Sequence, residues 1–358
     1  MIFGFRAPPP TPSCAFRRSQ PAAIIVAFLF VSLLIPAAFP AAAPVEIKLA
    51  TILPAGTSGH QNLMEMRAAW QKAAGPAVKL TIYAGMAEGE PLLVKKMRAR
   101  QINAAVLTAV GLSEIDRSVS SLQLMPMMFR DWREVDYVRE KIRPELESRL
   151  RAKGFEVLFW GDAGWVRYFS KEPGAFPDDY KRMKLFVLAG VPRQLEIMRE
   201  MGYQPVALET EQVLPALTTG MISVVPVPPF LALALQYNRQ AKFMLDLNWV
   251  PIVGAAIVRQ DVWEKIAPPL RAQLHALAGT AAEKIRTQTR AEDDDAIVAM
   301  QKNGLVVQTP TPPMVAAWQG LADKLHPLIR GPIVPPEIYD QVKAAVAAYR
   351  AGPGAAKE

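Results

Sequence analysis

Between Trp165 and Pro229 short apolar runs alternate with helical patterns, and this constrains the fold more than any other feature of the chain. The run Lys184-Leu185-Phe186-Val187-Leu188 reads as a strand. A helix follows from Pro192 to Met201 and stops at Gly202, and Leu217-Thr218-Thr219-Gly220-Met221-Ile222 leads to the next apolar run. Strands of four or five apolar residues separated by helices are buried on both faces, which is the mark of a parallel sheet covered by helices. The same alternation starts at Val45. Strands are predicted at Ile47 to Leu53, Val78 to Tyr83, Ala104 to Thr108 and Phe155 to Trp160. Between them, Leu63, Met66 and Trp70 share one face of a helix over His60 to Ala74, and Asp131 caps a long amphipathic helix running to Lys153 with Pro144 inside it. The expectation is an α/β protein.

The first 43 residues have a different character. Arg6, Arg17 and Arg18 precede an apolar run from Ala22 to Ile35, and small residues follow at Ala37, Ala38, Ala41, Ala42 and Ala43. That order reads as a secretory signal peptide over residues 1–43, with cleavage between Ala38 and Ala43 and a periplasmic address. An uncleaved anchor is the rival reading, disfavoured because the run is short for a membrane span. Cys14, the one cysteine, precedes the apolar run, so the exported chain has no disulfide and relies on its hydrophobic core. About 315 residues remain, enough for two lobes. Without the three leader arginines the balance is 38 basic to 33 acidic side chains, net +5, with charges interspersed. No stretch forms a nucleic-acid footprint, and no nucleic-acid partner is expected.

A second series of strands follows at Val166 to Ser170, Lys184 to Leu188, Pro205 to Leu208 and Ser223 to Val227. Lys242 to Leu247 and Ala255 to Val258 lead back towards the first series. A lobe crossing is placed near Asp162 to Gly164. Residues 44–163 with about 252–292 make the first lobe, and 164–251 with about 293–350 make the second. From Asp261 to Asn303 the chain reads as helical with a break at Pro268-Pro269, and 351–358 as a disordered tail.

Few residues of the sequence point to chemistry. His60, His275 and His326 lie far apart and outside any metal-binding pattern, so capping or surface roles are the better reading. Glu292-Asp293-Asp294-Asp295 lacks the alternation and glycine of a calcium loop. Gly85-Met86-Ala87-Glu88-Gly89 has the wrong spacing to cradle phosphate. No nucleophile elbow or paired carboxylates can be named, so neither an enzyme nor a cofactor is expected.

In order and spacing the Trp165–Pro229 stretch resembles the solute-binding proteins of TRAP transporters, the DctP family. Leu122-Gln123-Leu124-Met125-Pro126-Met127-Met128-Phe129 looks like that family's Leu-x-Leu-Pro-x-x-Phe segment, followed by a helix from Asp131-Trp132-Arg133. Val258-Arg259-Gln260-Asp261-Val262-Trp263 resembles its strand-to-long-helix junction, so the likeness spans Val45 to Tyr349. The resemblance implies a two-lobed periplasmic binding protein fold, with a cleft between lobes joined by hinge strands and a long helix. It also implies a receptor that closes on a solute and delivers it to a TRAP membrane permease.

On that resemblance, Phe186 stands where the family carries an arginine that clamps a substrate carboxylate, and an aromatic ring cannot replace a bidentate guanidinium. Pro226 and Val227 replace polar contributors at the same edge of the cleft. Trp165, Phe230 and Trp249 add aromatic surface. Arg167 matches a frequent family arginine and is expected either to meet a polar head or to pair with a nearby acid. The implied ligand is hydrophobic or amphipathic, lipid-like or aromatic. Two alternatives stand beside it: an ordinary monocarboxylate receptor using Arg167, and a ligand-sensing module for a membrane kinase.

Overall fold

The computed structural model describes residues 43–86, 89–189 and 192–352. The proposed signal peptide, with Cys14, lies outside them except for Ala43, and so do Ala87, Glu88 and the tail from Pro353. Eleven strands are formed among the described residues: β1 (Val45–Thr51), β2 (Val78–Tyr83), β3 (Ala104–Thr108), β4 (Phe155–Trp165), β5 (Arg167–Ser170), β6 (Lys184–Leu188), β7 (Gln204–Leu208), β8 (Val224–Val227), β9 (Phe243–Leu245), β10 (Pro251–Arg259) and β11 (Val306–Gln308).

They make two sheets, one per lobe. The first runs β2-β1-β3-β10-β4 and the second β11-β9-β5-β8-β6-β7. Strand β1 is parallel to β2 and β3, while β10 is antiparallel to β3 and β4. In the second sheet β6 is parallel to β7 and β8, while β5 is antiparallel to β8 and β9. The chain crosses between sheets where β4 ends and β5 begins, at Val166. That is a few residues beyond the expected crossing, because β4 stays paired with β10 as far as Trp165, opposite Pro251. It returns through the segment between β9 and β10. The two crossings hold each other: the Val166 amide donates to the Val250 carbonyl at 2.9 Å, and the Trp249 amide to the Val166 carbonyl at 3.3 Å.

A third connection is the helix Pro268–Lys302, 35 residues and therefore about 50 Å long. Leu274, Ala278, Ala282 and Ile285 pack into the first lobe's core, and Ala296 and Met300 into the second's. The expected break is present: a short helix, Gln260–Trp263, ends before Pro268 and Pro269 open the long one, proline being tolerated in the first turn where its missing N–H has no partner to lose. Pro144 likewise sits inside an unbroken helix, Trp132–Ala152.

The C-terminal helices revise one expected boundary. Pro312–Ile329 packs on the second lobe, where the Trp318 indole donates to the Ala175 carbonyl at 2.8 Å. Pro336–Ala351, however, lies against Trp132–Ala152 of the first lobe. Tyr349 packs tilted against Tyr137 with ring centroids 5.1 Å apart, and Arg350 bonds Glu134 at 2.7 Å. The sequence pattern shows that this helix has one apolar face and says nothing about which lobe receives it. No helix among the described residues is long and apolar enough to cross a membrane.

Candidate functional site: a cavity without charge

A cavity of about 260 Å³ lies where the two sheets face each other and continues into the second lobe. The first lobe contributes Ile52, Thr108 and Gln123, and the hinge contributes Val166, Trp249 and Val250. In the second lobe, Phe186 and its strand neighbours form one wall. The helix Pro192–Glu200 and the helix Pro312–Ile329 close the far end with Ile197, Met198, Leu321 and Leu325. Among the described residues no Asp, Glu, Lys, Arg or His lines it. The polar groups are neutral: Thr108, Gln123, Gln194, Thr210 and three tyrosines. Several already have bonds. Gln123 accepts from the Val253 amide at 3.3 Å, and the Thr108 hydroxyl donates to Glu90 at 2.7 Å.

The seven residues singled out in the sequence divide into two groups. Phe186, Pro226, Val227 and Trp249 lie on the cavity wall. Arg167, Trp165 and Phe230 do not. Side chains alternate along β5, so Val166 and Tyr168 face the cavity while Arg167 and Phe169 face the other side. There the Arg167 guanidinium, 14 % exposed, bonds Asp246 at 2.7 Å. Of its two expected roles, the structure therefore gives Arg167 the pairing with an acid. Trp165 is buried against Trp132, with ring centroids 5.1 Å apart. The backbone amides of Trp165 and Phe230 both donate to the Asp293 carboxylate of the long helix, at 3.1 and 3.2 Å. Asp293 thus ties the hinge to the helix Pro229–Ala234, and burial pushes its carboxyl up to about 6. The Gly164 Cα comes so close to this carboxylate that an added Cβ would sit 2.3 Å from its oxygen.

Sequence reasoning missed Tyr168, Gln123 and the far wall of Met198 and Leu325. Tyr168 and Gln123 were both within recognised segments. The alternation of β5 carried the signal for Tyr168, but fixing which face meets the cavity requires the partner strands.

Charge is not excluded from the interior in general. Beside the hinge, Arg290 bonds Asp136 at 2.8 Å and Asp162 at 2.6 Å, Arg139 bonds Asp136 at 2.7 Å, and the Arg290 guanidinium lies 4.4 Å above the Trp132 ring. The Asp162 side chain is wholly buried, and burial raises its carboxyl above the usual range against the pull of Arg290 and Arg139. Glu90 is also fully buried. It accepts from the Thr108 amide and hydroxyl and from the Gly111 amide, and burial likewise raises it.

Compared with known proteins, residues 49–329 match the DctP model, bacterial extracellular solute-binding protein family 7. The chain belongs to this family. A curated relative, the C4-dicarboxylate-binding periplasmic protein DctP of Rhodobacter capsulatus, is 24% identical over 291 residues, 80% of this chain and 86% of the relative. A TRAP periplasmic solute-binding protein from Ralstonia eutropha, solved with (S)-2-acetolactate, superposes with a TM-score of 0.78 at 19% identity, covering 85% of this chain and 99% of that one. One from Shewanella oneidensis, solved with succinate, gives 0.78 at 14% identity, covering 85% and 100%. One from Xanthobacter autotrophicus with β-D-galacturonate gives 0.75 at 17%, covering 84% and 99%. The chain is therefore a solute-binding protein of the bacterial extracellular family 7, a receptor and not an enzyme, on a two-lobed fold.

Proposed function

We propose that this receptor carries an apolar or amphipathic solute through the periplasm and hands it to a TRAP membrane permease. The observation that carries the reading is the cavity wall without a charged side chain among the described residues. A buried carboxylate with no cation costs several kcal/mol, on the order of what a small ligand gains by binding. Each Å² of apolar surface removed from water contributes about 25 cal/mol, so a hydrocarbon body suits this wall better than a small dianion does. Phe186 supports the reading, since it lies on the wall where relatives are expected to hold a carboxylate-clamping arginine. Arg167 supports it too, because it lies off the wall, across β5 from Tyr168, and its Nε is bonded to Asp246.

The rival is an ordinary carboxylate receptor, favoured by the ligands of the Ralstonia, Shewanella and Xanthobacter proteins. Thermal shift and calorimetry with succinate, galacturonate, acetolactate and single-chain lipids separate the two. The proposal expects stabilisation by the lipids alone, and loss of that effect in a folded Phe186→Asp variant. Stabilisation by a small carboxylate alone, or lipid binding unchanged in Phe186→Asp, would overturn it. The export reading is tested by the intact mass of protein recovered from the periplasm, which places a cleavage between Ala38 and Ala43.

A further inference from the structure

We propose that Tyr168 is a specificity-determining residue whose hydroxyl anchors an uncharged oxygen, a hydroxyl or carbonyl, on an otherwise apolar ligand. This rests on the apolar-cargo reading above and narrows it to one chemical class.

Tyr168 is 5 % exposed and lies on the cavity wall. Its ring is fixed by Trp318 at 4.9 Å, Tyr180 at 5.1 Å and Trp249 at 5.9 Å, an aromatic cage that leaves the phenol little freedom to turn away. The hydroxyls of the other tyrosines nearby are satisfied. The Tyr180 hydroxyl donates to the Gly174 carbonyl at 2.9 Å, Tyr203 to the Pro177 carbonyl at 3.2 Å, and Tyr237 to the Thr210 carbonyl at 3.1 Å. Tyr168 alone of these four has a hydroxyl with no hydrogen-bond partner among the described residues. Buried hydroxyls are normally paired, so an unpaired one on a cavity wall marks the place where a ligand atom completes the bond.

The wall also selects the kind of atom. Burial pushes the Tyr168 phenol well above its usual range, so it remains a neutral O–H at working pH. Among the described residues no cation lines the wall to meet an anion, and Arg167 faces away across β5, bonded to Asp246. A neutral oxygen bonds the phenol without bringing an uncompensated charge into this surrounding.

Four ten-carbon probes test this by calorimetry or tryptophan quenching: 1-decanol, 2-decanone, decanoate and 1-chlorodecane. The expected result is that the alcohol and ketone bind about ten-fold tighter than the chloride, and that Tyr168→Phe, which keeps the ring, removes this preference. Equal affinity for alcohol and chloride in the native protein, or a preference that survives in Tyr168→Phe, overturns the anchor while leaving the apolar cargo standing. Tightest binding of decanoate overturns it as well. Binding of none of the four, with succinate or galacturonate stabilising the protein instead, removes the apolar reading and the anchor with it.

Discussion

Two buried regions of this protein treat charge in opposite ways. Beside the hinge, Asp136, Arg139, Asp162 and Arg290 are gathered into one network, with the Asp162 side chain wholly buried. The cavity on the other side of the hinge takes no ionised side chain from the described residues. The network sits on the first lobe's helix Trp132–Ala152, on β4 and on the long helix, so the difference does not come from the fold's general intolerance of charge. Charge is buried where opposite charges meet it, and is missing from the wall that a ligand would share. This contrast makes the uncharged wall an attribute of the site itself.

The largest expected effect comes from breaking the charged side. Arg290→Leu leaves Asp162 with only the 3.6 Å contact of Arg139, and should cost about 3–5 kcal/mol in urea unfolding. A cost under about 1 kcal/mol would show that the network is solvated in solution. Next is Gly164→Ala. It places a Cβ against the Asp293 carboxylate at a backbone φ of +87°, and is expected to cost about 2–3 kcal/mol, read by thermal melting.

The pH dependence sharpens the contrast further. Asp293 titrates near 6 when folded against 3.8 as a free side chain, so the folded state holds the extra proton between those values. Its contribution is fully present below 3.8 and is lost as pH rises through about 6. His326 acts in the opposite sense. Burial lowers it from 6.5, so its contribution is present above that value and is lost as pH falls. Denaturant melts of Asp293→Asn should therefore show a steeper loss of stability on acidification between pH 6 and 3.8 than the native protein. Unchanged slopes would mean that Asp293 is ionised in the folded state.

The smallest effect is expected from Arg167→Met. The guanidinium lies off the cavity, so ligand affinity should stay within about two-fold while stability falls by roughly 1 kcal/mol from the loss of the Asp246 bond. A ten-fold loss of affinity would return Arg167 to the ligand.

Much of the fold was legible because parallel strands covered on both sides leave unmistakable apolar runs, and the second lobe's β6 and β7 and the helix Pro192–Glu200 between them fell where the pattern put them. The site was legible only in part. Phe186 and Trp249 reach the wall, but Arg167 and Tyr168 are neighbours on one strand, and only the pairing of β5 with β8 and β9 decides which of them faces the cavity. Trp165 and Phe230 looked like ligand surface because they are aromatic, whereas their backbone amides serve the Asp293 clamp. That clamp joins residues more than sixty positions apart, and no local pattern records it. The placement of Pro336–Ala351 on the first lobe was hidden for the same reason.

The most direct test of the charge-free site is mass spectrometry of the protein purified without detergent, first under native and then under denaturing conditions. The account predicts release of one equivalent of a neutral, largely apolar molecule carrying an oxygen function. Release of a small carboxylate, or an empty protein that binds only small carboxylates, would contradict it.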